Sequence, residues 1–201
     1  MSVKIHDVVQ KSPEWFALRK QYPLTASKAQ AIGNNGKGLE TLCYEKLAEA
    51  YSSGVVEDIS NRHTERGVEL EPQARSLYEL ETGVTVKEVG FITNNKVSSV
   101  AGASPDGLVV KDGLLEIKCF DDAKHFKMTI QGLEIESQYV WQMQMQMLIT
   151  ERKWCDFLAY NPNYEKSLLI KRVDADNEMQ KAIIEGLKKG EEIIKEIKSK
   201  I

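Results

Sequence analysis

The chain has 201 residues, 42% hydrophobic and 28% charged, enough for one domain with a substantial core and too few for two. Its 27 Lys and Arg against 30 Asp and Glu give a formal net charge of -3. That argues against a simple basic coat for nucleic acid but leaves room for an enzyme with a local basic groove or bound cations. Three widely spaced cysteines, Cys43, Cys119 and Cys155, form no CxxC pair. This argues against a thiolate zinc site or a four-cysteine iron–sulfur cluster and reads as reduced, buried thiols. MSVKIHDVVQKS lacks the apolar core of a signal peptide, and no run approaches membrane-spanning length. The expectation is a soluble, cytoplasmic protein with no membrane partner.

In chain order, SPEWFALRKQ predicts a helix with Ser12 as N-cap and Pro13 at its first position. LTASKAQAIG predicts a second short helix starting near Thr25 and stopped by Gly33. Leu39, Leu42, Cys43, Leu47 and Ala50 fall at helical spacing in LETLCYEKLAEAY. From Thr64 to Glu81 the residues favour helix up to Gly83, with a kink or restart expected at Pro72. VTVKEVGFIT, SSVAGA, GLVV and LLEIKC are rich in β-branched residues and predict strands, the last two joined as a hairpin by KDG. The Gln/Met alternation of YVWQMQMQMLI fits a strand period, but Gln and Met are good helix formers and poor strand formers, which predicts a helix. Gln142 and Gln146 would then share one face, Met145 and Ile149 another. WCDFLAYN and SLLIKRV predict two strands, and an amphipathic helix over about 174–201, weakened at Gly186 and Gly190, ends the chain. This order suggests one α/β domain over 1–201 with a mixed central sheet flanked by helices.

The chemistry concentrates in SPDGLVVKDGLLEIKC, Ser104 to Cys119. Glu116 and Lys118 share one face of a mostly apolar strand, costly unless they are used. The hairpin brings Asp106 to Glu116, and two such charges at about 4 Å repel by roughly 4 kcal/mol at an effective dielectric near 20. A divalent cation offsets this better than one lysine. Carboxylates with a backbone carbonyl, here that of Ile117, suit Mg²⁺ or Mn²⁺. Such a cation lowers the pKa of water for phosphodiester hydrolysis, with Lys118 orienting that water or stabilising the transition state. Read as structure alone, the same residues make a surface hairpin with a Glu–Lys pair.

PD, nine residues, then EIK resembles the signature of the PD-(D/E)XK nuclease superfamily. WFALRKQYPLTAS, ERGVELEPQAR, GASPDGLV, LEIKC, YVWQMQ and FLAYNP occur in the order found in the phage lambda exonuclease, or YqaJ-like, family, from about Trp15 to about Pro162. The resemblance implies a PD-(D/E)XK nuclease core with Asp106, Glu116 and Lys118 serving metal and catalysis. It implies that Glu71 holds water at the metal, with Glu69 as its competitor. Gln142 would complete the site, with Gln144 and Gln146 as alternatives.

Arg19, Ser27 and Ser104 resemble a pocket for the 5′-phosphate of the digested strand. Arg19 offers a planar fork and Ser27 a place in the first turn of a helix, though read singly they are a surface charge and a cap residue. His6, His63 and His125 show no metal-ligand spacing. Trp15 and Trp141 are expected in the core, with stacking on DNA bases as the lesser alternative. Lys28, Lys37, Arg62, Arg66, Lys124 and Lys127 could line a DNA path. The implied activity is a Mg²⁺-dependent (Mn²⁺ as substitute) double-strand DNA 5′-to-3′ exonuclease leaving 3′ single strands. A homotrimeric ring would act on DNA ends with a single-strand annealing protein, in a phage or prophage setting. The alternatives are a related endonuclease, a nuclease of other polarity, or a non-catalytic DNA-end-binding module.

Overall fold

Ser12 opens the first helix as its position dictates: its hydroxyl accepts the Trp15 N–H at 3.2 Å, and α1 runs over Pro13–Gln21. The computed structural model describes residues 2–52 and 62–201; the side chains of residues 62–65, Arg62 and His63 among them, lie outside the described part. The next segment differs from expectation. Leu24–Thr25 is a short strand, β2, after β1 (Val3–His6); a 3-10 turn over Ala26–Lys28 then leads into α2 (Ala29–Asn34). The helix ends at Asn35 in the left-handed conformation, which Asn tolerates, rather than at Gly33. Gly33 instead makes room for a neighbour, since a Cβ there would lie 2.2 Å from the Trp141 ring.

α3 (Lys37–Tyr51) buries Leu39, Leu42, Cys43 and Leu47, the predicted stripe. α4 (Arg62–Thr82) runs through Pro72 without a break and stops at Gly83, whose φ is +72°. Proline removes one helical hydrogen bond, but Ala74 and Tyr78 bury the following turns in the core, and that packing outweighs the local loss.

VTVKEVGFIT is not one strand. Val86–Lys87 (β3) and Phe91–Asn94 (β4) belong to different sheets. The break falls beside Gly90, where a Cβ would come within 1.9 Å of the Val8 carbonyl. The other strands are β5 (Ala101–Ala103), β6 (Gly107–Val109), β7 (Gly113–Cys119), β8 (Trp154–Tyr160) and β9 (Leu168–Asp174). Instead of one central sheet there are two, in the orders β1-β4-β5-β2 and β3-β6-β7-β8-β9. Both are mixed: β2 runs parallel to β5 and β7 parallel to β8, with the remaining pairs antiparallel.

Between β7 and β8 lie α5 (Asp122–Gln131) and α6 (Ser137–Thr150), the crossover that a parallel pair requires. The Gln/Met stretch is thus a helix, as propensity predicts. α4 covers one face of the five-stranded sheet, where Leu115, Ile117 and Leu158 meet Ala74 and Tyr78. On the other face Leu114, Phe157 and Ala159 join the Met143, Met145 and Met147 side of α6. Strand alternation therefore turns Glu116 and Lys118 toward α6. The last helix, α7, spans Asn177–Lys198. Its glycines are contact points rather than weak points, since a Cβ on Gly186 would meet the Ile32 carbonyl at 1.9 Å. No helix among the described residues is long and apolar enough to cross a membrane.

Candidate active site

The segment Ser104–Pro105–Asp106 joins the two sheets, leaving β5 of the first and entering β6 of the second. Gly107 follows because a Cβ there would lie 2.1 Å from the Val86 side chain. Asp106 extends the hairpin ladder by one step, its N–H donating to the Leu115 carbonyl at 3.1 Å. Its Oδ2 accepts the Ile117 N–H at 2.6 Å. Two backbone-directed bonds thus set Asp106 beside Glu116.

Glu116 is 1% exposed. Its Oε1 accepts from Gln142 at 2.6 Å and from the Lys118 ammonium, and its Oε2 accepts from Gln146 at 2.8 Å. Gln144, between them in sequence, turns away to the Asp174 carbonyl and the Asp176 N–H. Of the three glutamines, the structure therefore brings two to the carboxylate. Lys118 Nζ also lies 5.2 Å from the centre of the Tyr139 ring.

Burial, then repulsion from Glu116, raises the Asp106 carboxyl well above the ordinary carboxylate range; Lys118 offsets part of this and Glu71 adds to it. Burial alone would lower the Lys118 ammonium, but Glu116 and Asp106 together raise it above the usual lysine range. The Cys119 thiol is pushed up to about 11, first by burial and then by Glu71 and Asp106. Beside burial, neighbouring carboxylates contribute to all three shifts.

Glu71, on α4, lines the same cavity, whereas Glu69 is exposed away from it. The buried Arg75 holds Glu71 Oε1 at 2.8 Å through one nitrogen and Glu88 at 2.9 Å through the other.

Toward the first sheet the polar groups form a chain. Trp15 Nε1 donates to Ser104 Oγ at 2.8 Å, and the Arg19 guanidinium stacks 4.3 Å from the Trp15 ring centre. Arg19 then reaches Thr25 Oγ1 at 3.4 Å, which is 3.2 Å from Ser27 Oγ. Two expectations are corrected here. Ser27 sits in the 3-10 turn, ahead of a helix of only six residues, so side-chain hydroxyls, of which only that of Ser27 is exposed, rather than a helix dipole face this end. Trp15 is not a core residue: α1 buries none of its side chains, and the indole is spent on Ser104 and Arg19.

Both ends belong to one cavity of about 660 Å³, and every site residue expected from the sequence lines it: Arg19, Ser27, Glu71, Ser104, Asp106, Glu116, Ile117, Lys118 and Gln142. Lys124 lines it too, paired with Glu136. Arg66 lies 3.9 Å from Asp122, while Lys28, Lys37 and Lys127 are exposed outside the cavity. Gln10, Tyr139 and Arg75 carry no sequence signal for a place at this site, and Trp15 reads from sequence as a core residue. For Trp15 a signal existed, because an aromatic four residues before an arginine on a short helix is placed to stack with it.

No curated protein matches the chain. Among solved structures it is similar to an alkaline exonuclease (LHK-Exo) from Laribacter hongkongensis, with 32% identity, a TM-score of 0.76, and 94% of this chain and 97% of that one covered. The complex of LHK-Exo with dAMP matches at 33% identity and the same TM-score. A phage related exonuclease from Haemophilus somnus 129PT, at 17% identity and a TM-score of 0.63, shares the fold over 88% of this chain and 95% of its own. The family model of the YqaJ-like viral recombinase domain matches residues 14–153. That span holds both ends of the cavity, and the chain belongs to the YqaJ-like viral recombinase family.

Proposed function

We propose that this protein is a metal-dependent double-strand DNA exonuclease that works from 5′ ends and leaves 3′ single-stranded tails. One observation carries the reading: a single cavity joins the Asp106, Glu116 and Lys118 cluster to Arg19, Ser27 and Ser104. An anion-binding end beside a hydrolytic centre selects a terminal nucleotide, and about 660 Å³ falls within the ordinary range for small-ligand sites. The similarity to an alkaline exonuclease over almost the whole of both chains supports the class of reaction.

The donor set fits a hard divalent cation. Among the described residues no three His, Cys, Asp or Glu side chains close into a metal cage by themselves. Asp106 and Glu116 with the Ile117 carbonyl would be an all-oxygen set of the incomplete kind that Mg²⁺ accepts, with Mn²⁺ as a substitute. The gathering of Asp106, Glu116 and Glu71 around the single Lys118 supports this, because burial and then repulsion from Glu116 both disfavour the Asp106 charge there. A bound cation supplies Lewis acidity and neutralises charge on the phosphate. Lys118, fixed by Glu116, orients the attacking water and balances the developing negative charge. Gln142 and Gln146 hold the Glu116 carboxylate in one orientation. Glu71, restrained by Arg75, faces the same space and positions water. Membership in a viral recombinase family supports a role in phage recombination, with a single-strand annealing protein as partner. A homotrimeric ring around DNA and a bacterial cytoplasm as the place of action complete the proposal.

The test is digestion with Mg²⁺ of linear duplexes bearing 5′-phosphate or 5′-hydroxyl ends, labelled at each end, beside a closed circle. Fast loss from the phosphorylated 5′ end with the circle intact is expected. Cutting of the circle would replace the reading with an endonuclease. End binding without cleavage in either Mg²⁺ or Mn²⁺ would leave a binding module.

A further inference from the structure

Four non-glycine residues among those described have positive φ: Lys11, Asn35, Val110 and Glu151. Three have a local reason. Asn35 and Glu151 close α2 and α6 in the left-handed cap conformation, and Val110 lies in the β6–β7 turn. Lys11, at φ 67°, stands in the turn before α1, where a glycine would serve the backbone better. The turn is pinned in place: Ser12 N–H donates to the Val9 carbonyl, and the Gln10 amide donates to the Val89 and Pro105 carbonyls at 2.9 and 3.0 Å. The second of these bonds anchors it one residue from Asp106.

A second cavity, of about 580 Å³, lies across this turn from the first. Gln10, Lys11, Glu71 and Asp106 line both cavities and so form the wall between them. Of these four, the glutamine amide is committed to backbone carbonyls and two are carboxylates that repel a phosphate. Lys11 is the cation, and among the described residues it pairs with no carboxylate. A DNA strand whose end lies in the first cavity and which leaves through the second carries its next phosphate past this wall.

Resting on the nuclease reading above, we propose that Lys11 is a substrate-binding residue. Its ammonium takes a backbone phosphate of the digested strand as it passes the carboxylates, on the interior side of the bond to be cut. A side chain is kept at a position suited to glycine because the charge is needed there.

The experiment compares the parent protein, Lys11→Gly and Lys11→Arg, with Lys188→Ala on the exposed part of α7 as a control for charge loss. A 5′-phosphorylated duplex is titrated with Ca²⁺ replacing Mg²⁺, across a series of salt concentrations. For Lys11→Gly the affinity is expected to fall about 5- to 10-fold at physiological salt. The slope of log K against log salt should shrink by about one phosphate contact. Lys11→Arg should retain both, and Lys188→Ala should match the parent. In digestion, the loss should fall on KM rather than kcat. Lys11→Gly should melt no lower than the parent, because glycine accepts this φ freely. A lower melting temperature would make Lys11 a structural residue and overturn the proposal. So would an unchanged salt slope, or an arginine variant as weak as the glycine one. Failure of the nuclease reading itself would appear separately, as a parent protein that binds ends but digests nothing.

Discussion

The two ends of the cavity are built by different means. At the carboxylate end, Glu116 and Lys118 sit on a central strand, Asp106 is fixed by two bonds to β7, and two glutamines from α6 clamp a carboxylate that is 1% exposed. At the anion end, contacts pass from side chain to side chain, at up to 3.4 Å, between a short helix and a 3-10 turn. Bond-making chemistry needs groups held within fractions of an ångström, which a buried strand provides. Recognising a phosphate tolerates more play, because charge-assisted bonds to a guanidinium keep much of their value as the partner shifts. The carboxylate end is therefore held by buried, backbone-directed bonds, and the Arg19 end by longer contacts between side chains.

The largest break in this comparison should come from Lys118→Ala. It is expected to lower kcat on the order of 10³-fold while duplex binding in Ca²⁺ persists, since one charge stabiliser at the reacting centre is worth that much. Surviving cleavage would remove Lys118 from the mechanism. Arg19→Ala should act on recognition instead, cutting the preference for 5′-phosphate over 5′-hydroxyl ends by about 10- to 100-fold. An unchanged preference would place the phosphate elsewhere. Trp15→Phe keeps a ring under Arg19 but loses the bond to Ser104, which predicts a rise in KM of about 5-fold. The smallest effect concerns stability and runs the other way. Asp106→Asn should abolish digestion yet raise the metal-free melting temperature by about 2–4 °C, as expected from relieving roughly 1 kcal/mol of carboxylate repulsion. Mg²⁺ should then narrow that gap by stabilising the parent alone. A variant that melts lower than the parent in both conditions would show that Asp106 is not strained.

The same contrast governs how much could be read in advance. The carboxylate end was legible because its parts are close in sequence: Pro-Asp-Gly, a two-strand hairpin and alternation within LLEIKC are local, and Gln142 and Gln146 are one helical turn apart. The anion end was legible only as a set of residues. That Trp15 stacks on Arg19 and bonds Ser104, 89 positions away, depends on how α1 lies against the exit of β5. Errors in the elements share this cause. VTVKEVGFIT has the composition of one strand, but the close approach of Val8 at Gly90 and the demands of two sheets divide it. Pro72 breaks an isolated helix, but burial of Ala74 and Tyr78 carries α4 through it. Gly186 and Gly190 read as helix weaknesses until α2 and the core are seen packed on them.

By itself the sequence determined the class of fold, the helical state of the Gln/Met stretch, the capped start of α1, and the gathering of Asp106, Glu116 and Lys118 in one place. These follow from short-range rules: side-chain period, turn chemistry and the cost of burying unpaired charge. Only the tertiary structure decided that two sheets meet at Ser104–Asp106, that Gln144 turns away while its neighbours grip Glu116, and that Lys11 stands on the wall between two cavities. Such outcomes depend on contacts between distant segments. Their energies are fixed by close packing and shared hydrogen bonds, which no local window of residues contains.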